Sequence, residues 1–167
     1  MDAGARDRVL EGLELLLSCE AAVGEFYRCC AQTWHIDRAF WLGLAGDEAI
    51  HAARLGLLLE RVREGAATAR LARAFPGAAL SALLQGAIQN RELLVAGKVG
   101  RAMALVLARN LERALIASRA LQAVSFEQGG WNGYLRTIAA ETHRHERVLE
   151  ERLGQERQRD GSGSHGA

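Results

Sequence analysis

DEAIHAARL, residues 47–55, sets Glu48 and His51 three apart inside a run that otherwise reads as an apolar helix. Following its phase in both directions gives Phe40, Leu44, Glu48, His51, Leu55 and Leu58. These steps of three and four put the carboxylate and the imidazole on one inward face, about one turn apart. An ionised carboxylate buried without a partner is costly, so such a face calls for a compensating cation.

Three further stretches carry the same kind of line. Leu13, Leu16, Glu20, Val23, Tyr27, Ala31 and Trp34 centre one carboxylate on an apolar stripe, whereas Glu14 and Glu25 fall off it as surface charges. Leu105, Ala108, Glu112, Leu115, Arg119 and Gln122 form another line, again with a carboxylate near its middle. The last runs Leu135, Ile138, Thr142, His145, Leu149 and Leu153. Glu20 and His51 are 31 residues apart and Glu112 and His145 are 33 apart, so the two halves repeat one plan: an inward Glu, then a helix with an inward His.

Ala, Leu, Arg and Glu dominate, β-branched and aromatic residues are few, and Pro76 is the single proline, a composition that predicts an all-α fold. Breaks fall at WHIDRAF (34–40), REGAATA (63–69), AFPGA (74–78), VAGKVG (95–100) and FEQGGWNG (126–133). They predict four long helices, near 6–33, 38–63, 99–125 and 131–153, with a shorter one over 78–95. At 167 residues and 49% hydrophobic content the chain suits one domain, placed at 1–154. Residues 155–167 are polar and Gly/Ser-rich and are expected to be a disordered tail.

Lys and Arg total 21 against 20 for Asp and Glu, spread along the helices, which argues against a nucleic-acid partner. No run approaches the roughly 18 apolar residues of a membrane span, and acidic residues interrupt the N-terminal segment where a signal peptide would be apolar. The expected setting is cytoplasmic. Cys19, Cys29 and Cys30 form no CxxC pair and read as reduced packing residues. His35, His143 and His165 fall in a turn, off the inward line and in the tail, and are expected to face solvent.

The segments CEAAVGEFYRCC, FWLGLAGDEAIHAARL, MALVLARNLERAL and LRTIAAETHRHERVL, with their helices, cover most of residues 6–153. Glu20 followed seven residues later by Tyr27, then Phe40, Leu44 and Glu48-x-x-His51, resembles the ferritin-like superfamily, closest to its rubrerythrin-like branch. In such proteins two helices each give a Glu and two each give Glu-x-x-His to a di-metal site. The resemblance implies a four-helix bundle with short hairpin connections and a long crossover, about 64–98 here, holding the short extra helix. It implies two iron ions per chain, with manganese as an alternative, held by Glu20, Glu48, His51, Glu112 and His145. Oxygen-rich sites with one or two imidazoles suit both metals. The implied activity is that of an oxidoreductase, a peroxidase or ferroxidase type, acting on ferrous iron with O2 or H2O2. With no rubredoxin-like module in the sequence, turnover calls for an external electron donor. Tyr27 is the candidate catalytic side chain, with a hydrogen bond from its hydroxyl to a neighbouring ligand as the plainer role.

Two departures open a second reading. Thr142 stands where the family pattern has a carboxylate, and Glu141, four residues before His145 and about 40° from it around the helix axis, is the candidate to replace it as a metal ligand. Arg119 lies two turns beyond Glu112, where an inward guanidinium would neutralise Glu112 or Glu20 without any metal. The alternative is therefore a metal-free or single-metal bundle with a structural or partner-binding role. A hydroxylase ranks third, since it needs a cavity beside the metals; Gly24, Gly43 and Gly46 allow either such space or close helix packing. Leu17, Phe26, Trp41 and Leu57 are left over on the first two helices and suggest a homodimer rather than a cage.

Overall fold

A computed structural model describes residues 3–72 and 74–163 of the chain. In order these form α1 (Ala3–Thr33), a 3-10 turn (His35–Asp37), α2 (Arg38–Arg63), β1 (Ala69–Leu71), α3 (Gly77–Val95), α4 (Arg101–Ser118), β2 (Val124–Phe126) and α5 (Gly129–Gly163). The all-α expectation holds, apart from the two-stranded ribbon. α1 packs along α2, α4 packs along α5, and α3 lies against α1 and α4; α2 also meets α5, and α1 meets α4. Among the described residues, no helix is long and apolar enough to cross a membrane.

Local chemistry sets the helix ends. Trp34 is extended (φ −119°, ψ 92°) and its N–H donates to the Cys30 carbonyl, which turns the chain from α1 into α2. α3 closes on Gly97 at φ +69°, with the Lys98 N–H donating to Leu93 and the Gly97 N–H to Leu94, the paired bonds of a glycine-terminated helix. α4 stops at Ser118, because Arg119 takes a left-handed conformation (φ 55°) and cannot continue the helix. The third long helix, expected to reach 125, is thus shorter. Arg119 caps it in an exposed position and does not face inward on the Glu112 line.

The ribbon was not anticipated. β1 and β2 run antiparallel, with Ala69 opposite Phe126 and Leu71 opposite Val124, and so fasten the segment after α2 to the connection between α4 and α5. Asn132 closes the same corner: its side chain accepts from the Phe126 N–H and donates to the Phe126 carbonyl, both at 2.8 Å.

The C-terminal boundary also differs. α5 continues to Gly163, so residues 155–163 of the expected disordered tail are helical; His165 lies outside the described residues. Glu156, in this extension, is buried and accepts from Arg101 Nη1 at 2.6 Å, which ties the extension to α4. Arg101 also pairs with buried Asp37, as does Arg152, whose guanidinium lies 5.5 Å above the Phe40 ring. One carboxylate at the α1–α2 turn thereby holds α4 and α5.

Phe26 and Trp41, expected as interface residues, are fully buried in the core, whereas Leu17 and Leu57 are half-buried. The uncharged outer face of α2 instead shows Leu42 and Ile50 among Ala39, Gly43, Gly46, Ala49 and Ala53.

Candidate metal centre

Helical phase carries five side chains to one buried layer. Glu20 comes from α1, Glu48 and His51 from α2, Glu112 from α4 and His145 from α5, each no more than 3% exposed. Gly24 explains how α1 and α2 approach there. A Cβ on Gly24 would stand 3.1 Å from the Glu48 Cβ, so the absent side chain makes room for the root of Glu48. Gly43 and Gly46 face open space and play no such part.

The five groups form two donor sets able to hold a metal ion, Glu20–Glu48–His51 and Glu48–Glu112–His145, within each of which the donor atoms lie within 4.8 Å of one another. Glu48 belongs to both. Its Oε2 is 3.2 Å from His51 Nδ1, which is also 3.2 Å from Glu20 Oε2. Its Oε1 is 2.8 Å from His145 Nδ1, and Glu112 Oε1 is 3.5 Å from that nitrogen. The two rings are stacked, with centroids 5.6 Å apart.

The outer nitrogens of both rings meet carboxylates. His51 Nε2 lies 2.8 Å from Glu141 Oε2, which also accepts from Arg54 at 3.0 Å. His145 Nε2 lies 3.2 Å from Asp47 Oδ2, which accepts from Arg144 at 2.5 Å. The internal repeat therefore runs deeper than its inward residues: DEAIH (47–51) and ETHRH (141–145) each place an acid four residues before the histidine, and each acid serves the histidine of the other half. Glu141, expected as a candidate metal ligand, belongs to neither donor set and sits on the outer side of His51. Asp47 was not singled out from the sequence, although aligning the two pentapeptides pairs it with Glu141.

Thr142 is buried at the position equivalent to Glu48, and its hydroxyl donates to the Ile138 carbonyl at 2.9 Å, within its own helix. Tyr27 is fully buried and donates to Glu112 Oε1 at 2.5 Å, so its hydroxyl orients one of the candidate ligands. His35 and His143 are exposed, as expected.

No family model, curated protein or solved structure matches the chain. The residues themselves must therefore say whether they suit a metal.

Two of their donor atoms are buried without a hydrogen-bond partner, Glu20 Oε1 and His145 Nδ1. The latter is close to Glu48 and Glu112, yet it is aligned with neither for a bond. Three carboxylates and two imidazoles make a hard, oxygen-rich set of the kind that suits iron or manganese. The donors could hold a metal ion in each set, and Thr142 adds no carboxylate to them.

In the metal-free protein, protons take the place of the cations. Burial disfavours a charged His51, but Glu20 and Glu48 outweigh it and raise its pKa to about 11. Burial opposes the charge of His145 as well, and Glu112 and Glu48 raise it to about 10. Glu20 is pushed well above the carboxylate range by its own burial and then by the neighbouring charge of Glu48. Burial and the Glu112 charge push the Tyr27 hydroxyl up too, so it stays a donor. Burial pulls Asp47 upward, but Arg144 and His145 hold it below its ordinary value, and His51 and Arg54 do the same for Glu141. The outer acids are therefore ionised acceptors.

Proposed function

We propose that the chain is a ferritin-like, rubrerythrin-like di-metal carboxylate protein, an oxidoreductase acting on ferrous iron with oxygen or peroxide. The observation that carries this reading is the sharing of Glu48 by two buried donor sets, each completed by one more Glu and one His. Long helices paired α1 with α2 and α4 with α5, with α3 in the segment between the pairs, support the bundle with one crossover.

Glu20, Glu48 and His51 would hold one ion, and Glu48, Glu112 and His145 the other. Bound iron would supply the ferrous–ferric couple that reduces oxygen or peroxide. The protein's part is orientation. Asp47 and Glu141 accept from the outer ring nitrogens, which leaves both Nδ1 atoms for the centre and makes them better donors. Tyr27 holds Glu112 in place, and the surrounding core keeps bulk water away from the layer.

The metal-free alternative draws on one observation: His51 already binds Glu20 and Glu48 in a mutually neutralising group. Arg119, its other expected support, is exposed at the α4 cap. Anaerobic titration with cobalt(II), followed by its visible absorption, separates the two readings. The di-metal reading expects two ions per chain in the wild type and loss of both in Glu48→Ala. An unaltered spectrum at every cobalt concentration would leave the metal-free bundle standing.

A further inference from the structure

Leu115 lies one turn beyond Glu112 on α4, and Thr142 one turn before His145 on α5. Between them is a cavity of about 10 Å³, lined also by Ile116, Leu121, Gln122, Ala139 and His143. That is the room of roughly one water molecule. Leu121, Gln122 and Ala139 also line a second, wider cleft of about 260 Å³ that opens to the surface between the turn after α4 and the start of α5. The inner chamber and the outer cleft thus share a throat.

Thr142 gives the chamber its meaning. By the internal repeat it occupies the place of Glu48, which in the first half reaches the centre of the layer. Thr is shorter than Glu, and its hydroxyl is turned back onto Ile138, so the inner wall carries no charge. Leu115, Ile116, Leu121 and Ala139 share the rest of the chamber with Gln122 and His143, so its lining is about equally apolar and polar.

We infer that this cleft is the access path by which a neutral molecule of two heavy atoms, dioxygen or hydrogen peroxide, reaches the Glu48–Glu112–His145 set, with Ala139 and Leu121 as its throat. The inference rests on the di-metal reading. The inner chamber has no room for a bulky organic substrate, and among the described residues no Asp, Glu, Lys or Arg lines it to attract an ion.

The test uses crystals of the metal-free protein pressurised with dioxygen, together with anaerobic cobalt(II) uptake and the rate at which peroxide oxidises bound ferrous iron. Dioxygen is expected against Leu115 and Thr142 in the wild type and absent from Ala139→Leu. Because Ala139 belongs to neither donor set, cobalt uptake is expected to stay at the wild-type level, while peroxide oxidation slows about tenfold or more. If Ala139→Leu fails to fold, Gln122→Trp, at an exposed position on the same throat, is expected to give the same pattern. Dioxygen missing from the wild-type chamber, or a wild-type oxidation rate in the folded blocked variant with normal cobalt uptake, would overturn the access path. A wild type that takes up no cobalt would overturn the metal reading, and the path with it.

Discussion

His51 Nε2 on α2 lies 2.8 Å from the Glu141 carboxylate on α5, 90 residues further along the chain. Its counterpart runs the other way, from Asp47 on α2 to His145 on α5, at 3.2 Å. Each acid thus sits one turn before the histidine of its own helix and holds the histidine of the opposite one. This crossed pair ties α2 to α5 at the level of the donor sets and directs both Nδ1 atoms to the same layer.

Removing either outer acid should loosen a ring without removing a ligand. Asp47→Ala and Glu141→Ala are each expected to weaken divalent-cation binding by about 10–100-fold, the usual effect of losing a carboxylate behind a ligating histidine. Calorimetric titration with cobalt(II), alongside far-ultraviolet circular dichroism, checks this; wild-type affinity in both variants would show that the crossed pair does not orient the centre.

Thr142 leaves the second half one carboxylate short of the pattern. Three carboxylates would meet the four positive charges of two divalent ions, so the second ion is expected to bind more weakly than the first. Thr142→Glu should tighten the second binding step by about tenfold or more, a gain of roughly 1.4 kcal/mol. Equal steps in the wild type and no change in the variant would contradict this assignment.

The raised histidines set the pH dependence of the metal-free protein. His51 and His145 have folded pKa values of about 11 and about 10 against an ordinary 6.5, so their contribution to stability is complete below about pH 6.5. It is lost as pH rises toward and through the folded values. Glu20, also raised, adds a loss in the same direction beginning near its ordinary 4.5. Urea midpoints of the metal-free protein should therefore fall between about pH 6.5 and pH 9. Cation affinity should move oppositely and rise with pH, because binding displaces these protons. A flat midpoint over that range would contradict the protonated cluster.

Asp37 is the buried acceptor shared by Arg101 and Arg152. Asp37→Ala leaves two partly buried guanidinium groups without it and is expected to cost about 2–3 kcal/mol. Thermal denaturation should show a midpoint lower by roughly 5–10 °C, with cobalt stoichiometry retained because this network is separate from both donor sets. An unchanged midpoint would mean that the network adds nothing to the joining of α4 and α5 at the α1–α2 turn.

Helical period made the inward residues readable from the sequence, because a charged side chain in the middle of a leucine stripe has few surface explanations. Glu20, Glu48, His51, Glu112 and His145 all lie in the buried layer their phase implies. Arg119 was misplaced for the same reason: the stripe continues past Ser118 in sequence, but the left-handed residue at 119 ends the helix that gave the stripe its phase. Glu141 was legible as an acid near the centre, yet its contact with His51 depends on how α2 and α5 face each other across 90 residues, which no local pattern encodes. The three-residue strands Ala69–Leu71 and Val124–Phe126 are too short to show an alternating period. Glu156 looked like part of a polar tail because its partner, Arg101, is distant in sequence.

The most direct test of the central claim is metal analysis of the full chain loaded with ferrous iron without oxygen, followed by its absorption spectrum when air is admitted. Two irons per chain and a new near-ultraviolet charge-transfer band are the expected result. Protein that retains no iron, with no spectral change in air, would contradict the claim that Glu48 joins two metal sites.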